Sequence, residues 1–235
     1  MSRNLSIPIP LTVALLAACL LLPGLAGAKP AAMPAAGAPA EPWEGPPFAA
    51  DAAAVARAAA RVEYRQALAE RSGLDDGAVD VVTVATALHW FDFDRFYAEV
   101  ERVLAPGGAL VAWAYNLARV TPELDVLIDR LARQVVGAYW PPERRWVDEE
   151  YRTLPFPFDE VAVPELWIEE PWDFDRFIPY FGTWSATVRY RQATGHDPLE
   201  LVGEEMARAW GDPAQVRTVR WPLMMRAGRP RHPRR

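Results

Sequence analysis

A histidine and a tryptophan set straight after an apolar run, and an arginine pair beside two aromatics, are the side chains whose types and spacing suit chemistry. Residues 80–85 (DVVTVA) are rich in β-branched residues, as in a strand buried on both faces, and Thr86, His89 and Trp90 follow its end. In open parallel sheets the ligand crevice lies outside the carboxyl ends of the strands, so these three side chains are expected to face the reacting groups. An imidazole titrates near neutrality, so His89 could accept a proton or orient an acceptor, and it is the catalytic candidate. Trp90 could pack against a cofactor or wall the pocket. Arg144 and Arg145, next to Tyr139 and Trp140, could clamp a carboxylate, because the planar guanidinium fork matches that group. The same pair could instead be solvated, answering Glu143, Asp148, Glu149 and Glu150. Tyr180, Trp184, Arg189 and Arg191 share an expected helix over residues 173–194, with Asp173 as N-cap and Gly195 as stop. With Trp140, Arg144 and Arg145, Tyr180 and Trp184 complete the candidate substrate-binding set.

These residues need elements to hold them. Phe93, Phe96, Tyr97, Val100, Val103 and Leu104 recur at helical spacing with charges between them, which predicts a helix over residues 91–104. Pro106-Gly107-Gly108 is expected to stop it and turn the chain into a second strand, residues 109–113. Near the other end, residues 216–227 predict a final strand paired with one near residues 161–168. Ten tryptophans, most of them after residue 139, suit either core packing or an aromatic-lined pocket.

The run from Val79 to Trp113 resembles the second half of class I S-adenosylmethionine-dependent methyltransferases, in which an aliphatic-Asp-aliphatic strand precedes a helix ending in Leu-x-Pro-Gly-Gly. Ala87-Leu88-His89-Trp90-Phe91 narrows the likeness to the group around trans-aconitate and other small-acid methyltransferases. Tyr139-Trp140-Pro141-Pro142-Glu143-Arg144-Arg145, Arg152-Thr153-Leu154-Pro155-Phe156-Pro157-Phe158 and Thr183-Trp184-Ser185-Ala186 are similar to stretches of the same group. The resemblance covers about residues 51–229. It implies an α/β fold: a truncated class I methyltransferase (Rossmann-like) sheet, mostly parallel with an antiparallel C-terminal edge strand, under an aromatic-rich helical cap. It also implies S-adenosylmethionine as cofactor and a small-molecule substrate, such as a carboxylate. Asp51 would hold the donor's ribose hydroxyls, or else cap the alanine-rich helix that follows it. Ala69 and Glu70 would lie against the adenine, Glu70 having a plain surface role as its alternative. Thr86 and Trp90 would complete the donor site.

The chain departs from the family upstream. No strand leading into a Gly-x-Gly turn occurs before Asp51, so the strand at residues 80–85 is expected to have an open edge. Residues 1–28 have the anatomy of a secretory signal, with Arg3, an apolar core too short for a stable membrane span, and Ala26-Gly27-Ala28 before Lys29. Residues 29–50 are an Ala/Pro-rich linker, residues 51–229 a partial methyltransferase domain, and residues 230–235 a basic tail. A frame or start error, a genuine fusion and a substitute N-terminal element all remain open, the first being favoured. A working methyltransferase would be cytoplasmic, where its donor is supplied, whereas residues 1–28 alone would predict export. The alternative function is a catalytically inactive truncated or exported methyltransferase-like protein.

At 235 residues the chain is long enough for one domain with a real core. A net charge of −6 gives no general attraction to nucleic acid. Cys19 is the only cysteine, and His89, His196 and His232 have no ligand spacing, so no metal site is expected.

Overall fold

The computed structural model describes residues 67–231, so the signal-like segment, the linker and Asp51 lie outside the described residues. Strand β1 is Val79–Ala85, whose Val79, Val82 and Val84 are buried. A short 3₁₀ turn, Leu88–Trp90, leads to helix α1, Phe93–Val103. Asp92 caps α1 by accepting a hydrogen bond from the Arg95 amide at 3.2 Å. The periodic residues Phe96, Tyr97, Val100 and Val103 turn inward as their spacing predicts. Glu99 is buried with them, because Ser72 donates to it from both its amide and its hydroxyl, at 2.8 and 2.6 Å, and Arg102 donates to it from Nε and Nη2 at 2.9 and 2.8 Å. That hydrogen bonding, led by Arg102 and opposed by burial, holds the Glu99 carboxyl down at about 2.

Strand β2, Leu104–Tyr115, runs parallel to β1. The structure corrects the expected stop at Pro106-Gly107-Gly108: α1 has already ended at Val103, and these residues lie within β2, at a register shift between Val79 and Val81. Gly107 adopts a φ of 83°. Gly108 is needed for closeness, since a Cβ there would sit 2.9 Å from both the Ala105 and Asp80 carbonyl oxygens. Gly108→Ala is therefore expected to cost about 1–3 kcal/mol, read as a lower urea midpoint. An unchanged midpoint would show that the β1–β2 crossing can yield.

After β2 come helix α2, Pro122–Arg130, a π turn, Leu131–Val135, and the short helix α3, Arg144–Asp148. Strands β3, Phe158–Val161, and β4, Leu166–Trp172, precede helices α4, Phe174–Gly182, α5, Ser185–Thr194, and α6, Gly203–Trp210. Strand β5, Arg217–Pro230, ends the described fold. It pairs antiparallel with β2 on one side and with β3 and β4 on the other, which puts it inside the antiparallel part of the sheet. The single partner strand expected at residues 161–168 is divided in two, with Pro164, which has no amide to donate, in the gap. Among the described residues β1 has a strand neighbour on one side only.

The helix expected over residues 173–194 is also divided. Asp173 does cap α4 and Gly195, at φ 75°, does close α5. Between them Trp184 is extended and turns into the core, while the Thr183 hydroxyl bonds the Tyr180 carbonyl at 2.7 Å. One apolar core joins β1, α1 and β2 to Tyr151, Leu154, Phe156 and Phe158. A second, rich in aromatics, gathers α2, α4, α5 and α6 around Trp172, Trp184, Trp210 and Trp221. Among the described residues no helix is long and apolar enough to cross a membrane.

Candidate active site

The carboxyl ends of β1 and β2 open toward the cap, and most of the candidate side chains gather there. Thr86 leaves β1 with a φ of 53° while its amide holds the Trp113 carbonyl at 2.7 Å, so the chain turns sharply into the 3₁₀ turn. This places His89 inside and Trp90 outside: the imidazole is buried, whereas the indole is 48% exposed. Their ring centroids are 5.1 Å apart.

The His89 Nδ1 lies 2.7 Å from the hydroxyl of Tyr151, which is fully buried. Tyr151 was not among the sequence candidates. Nothing beside it in the chain marks it, since Asp148, Glu149 and Glu150 before it had entered only as charges that could answer the arginine pair. The chain bends there through two consecutive left-handed residues, Glu150 at φ 55° and Tyr151 at φ 59°. Burial raises the phenol well above its usual value, against a smaller opposing pull from the His89 backbone. Burial, followed by the positive charge of Arg144, pushes His89 down from 6.5 to about 4.

That depression has a thermodynamic consequence. As pH falls below 6.5 the unfolded chain takes a proton on His89 that the folded protein refuses until about 4. The stability linked to this group is complete above 6.5 and declines between 6.5 and about 4. We expect the urea midpoint to fall across that window and His89→Gln to flatten the fall; equal slopes in the two proteins would disprove the depression.

Arg144 joins two halves of the site. Its side chain is 18% exposed, donates from Nε to Asp148 at 3.0 Å and from Nη2 to Asn116 Oδ1 at 3.2 Å, and lies 4.5 Å over the Trp140 ring. Asn116 immediately follows β2 and is held by Leu117 and Val147. Trp140 in turn meets Trp184 at 5.4 Å, and Trp184 meets Tyr180 at 6.2 Å. Tyr180 accepts a hydrogen bond from Trp221 at 3.0 Å, and burial pushes its phenol up to about 12. A cleft of about 220 Å³ opens beside Trp140 and Arg144, between the π turn and α3.

The remaining candidates lie elsewhere. Arg145 turns to Trp146, 4.3 Å from its ring centre. Glu70 accepts from the Asp92 amide at 3.1 Å, at the start of α1. Ala69 packs against the first core. Asn116, like Tyr151, was missed in the sequence, because the second strand was expected to end at residue 113 and the structure carries it to Tyr115, which puts Asn116 just past the strand end.

Residues 46–112 match the methyltransferase-domain family. A solved protein of Anaeromyxobacter dehalogenans, provisionally described as a type II methyltransferase, is 48% identical, with a TM-score of 0.69 over 74% of this chain and 75% of that one. A provisionally assigned methyltransferase of Dictyostelium discoideum is 32% identical over 171 residues, 70% of this chain and 65% of its own length. An uncharacterised methyltransferase of Mycobacterium tuberculosis is 57% identical over 93 residues, covering 40% of this chain and 34% of the relative. The chain thus spans less than two thirds of these two curated relatives. The α/β sheet with its parallel β1–β2 pair, the site at the carboxyl ends of those strands and the close likeness to the solved protein lead to one assignment: this chain belongs to the class I S-adenosylmethionine-dependent methyltransferases.

Proposed function

We propose that this protein transfers a methyl group from S-adenosylmethionine to a small-molecule acceptor that carries a carboxylate. The observation that carries the reading is Arg144, a mostly buried cation that lines a cleft beside Trp140 and lies close enough to His89 to depress its titration. The donor brings a methyl group activated on a sulfonium. Thr86 and Trp90 at the end of β1 would hold it, since the half-exposed Trp90 indole offers a π face that suits a cation. Asp51, Ala69 and Glu70 are the further donor-side candidates. Arg144 would orient the acceptor carboxylate from the Trp140 side, while Trp184 and Tyr180 keep that wall dry. A carboxylate oxygen is already a nucleophile, so alignment and exclusion of water would supply most of the acceleration. In this reading the protein works in the cytoplasm, where the donor is made.

Isothermal titration of the full chain with S-adenosylmethionine tests the donor half. Heat that saturates is expected; no heat at millimolar donor would defeat the enzyme reading and leave the catalytically inactive alternative. A methyl-transfer assay across small carboxylic acids, with neutral alcohols and amines as controls, tests the acceptor half. Turnover confined to the controls would refute a carboxylate acceptor.

A further inference from the structure

The pairing of His89 with Tyr151 decides which nitrogen of the imidazole carries its proton. Tyr151 is fully buried, and among the described residues its hydroxyl has one side-chain partner, the His89 Nδ1 at 2.7 Å. Two arrangements satisfy that contact. If Nδ1 carried the proton and donated it, the phenol's own hydrogen would have no acceptor, inside a core where water cannot supply one. If the phenol donates, Nδ1 is satisfied as an acceptor and the imidazole proton resides on Nε2. The orphan donor then belongs to His89, which retains slight exposure after the end of β1, and not to a side chain with none. Hydrogen-bond accounting therefore selects the Nε2–H form.

The phenol is seated by a scaffold of its own. The Tyr151 amide donates to the Trp146 carbonyl at 2.7 Å, closing the two-residue left-handed turn. From β5, Arg226 Nη1 donates to the Tyr151 carbonyl at 3.1 Å and to the Leu154 carbonyl at 2.7 Å. The same guanidinium packs over Phe156 and is paired with Glu160. The charged group that faces the imidazole from α3 is Arg144, which disfavours an imidazolium and so supports a neutral ring.

We propose that Tyr151, anchored by Arg226, is a positioning residue that locks His89 in the Nε2–H tautomer, so that His89 meets the acceptor as a hydrogen-bond donor and removes no proton from it. The inference rests on the methyl-transfer reading for its kinetic half alone. It makes the site selective for acceptors that arrive already anionic, because Nδ1, the one imidazole nitrogen able to take a proton, is occupied by the phenol before the substrate enters. A neutral hydroxyl or amine would have to lose its proton elsewhere.

Long-range proton–nitrogen NMR of the full chain labelled with ¹⁵N-histidine, at neutral pH, tests this directly, with His89 assigned by its loss in His89→Gln. The wild type should show a protonated Nε2 and an unprotonated Nδ1. Tyr151→Phe keeps the ring and removes the donor, and should give mixed or reversed tautomers. It should also lower kcat roughly tenfold with donor affinity unchanged, the scale of one lost hydrogen bond. A wild-type spectrum with a protonated Nδ1 would overturn the proposal without any variant having to fold. So would a Tyr151→Phe spectrum identical to wild type, or an unchanged kcat once the tautomer has shifted. Absence of heat with S-adenosylmethionine defeats the enzyme reading instead, and leaves the spectral result standing.

Discussion

Replacing Arg144 with methionine is expected to lower methyl transfer by about a hundredfold, the scale of a misplaced reactant, while donor affinity stays within about twofold. Methionine keeps an unbranched stem to lie against Trp140 but removes the guanidinium that contacts Asp148 and Asn116. Asn116 retains its bonds to Leu117 and Val147, so the end of β2 should survive. The loss should fall on the acceptor's KM and on kcat, because both binding and alignment of a carboxylate use the same fork. A second readout comes from His89. Its titration is depressed first by burial and then by Arg144, so removing the cation should raise it toward the ordinary value, visible by NMR in the same variant. Wild-type turnover with a carboxylate acceptor would remove Arg144 from the site.

Trp210→Ala is expected to cost about 3–5 kcal/mol and to loosen the C-terminal cap before the β1–β2 region. Trp210 is wholly buried and packs 4.8 Å from Phe177 and 5.7 Å from Phe174, which joins α6 to α4. Its indole donates to the Gln215 carbonyl at 3.1 Å, and Arg217 at the start of β5 returns a bond to the Trp210 carbonyl at 2.7 Å. Truncation therefore opens a large apolar cavity and leaves the Gln215 carbonyl without its indole donor, while the backbone carbonyl that Arg217 holds remains. Hydrogen exchange should show α4 and α6 losing protection while α1 and β1 keep theirs, since the latter belong to the other core. A loss below about 1 kcal/mol would mean that the cap collapses around the missing ring.

Local pattern made one part of the fold legible. Val79 to Trp113 could be read because a β-branched run and a 3.6-residue period each act within a dozen residues, whereas Pro106-Gly107-Gly108 marks an irregularity inside β2 and not the helix stop its composition suggested. Asp173 and Gly195 were legible for the same reason: a cap is a contact between near neighbours. The break at Trp184 was not, since helical spacing continues across it and the indole leaves the helix to reach Trp140, far away in the chain. The split of β3 from β4 was announced by Pro164 and passed over.

The site divides in the same way. By itself the sequence determined that His89 and Trp90 follow a buried strand, that Arg144 stands beside Trp140, and that the surrounding motifs are those of a methyltransferase. Which arginine of the pair enters the cleft was decided by tertiary packing, because Asn116 meets Arg144 from beyond the end of β2, 28 residues away in the chain, while Arg145 lies against its neighbour Trp146. The partner of His89 was decided there too. Tyr151 lies 62 residues away, and only a left-handed turn held from β5 by Arg226 brings its hydroxyl to the imidazole. No periodicity records such a contact, because hydrogen bonds between distant elements depend on how the chain closes on itself and not on the spacing along it.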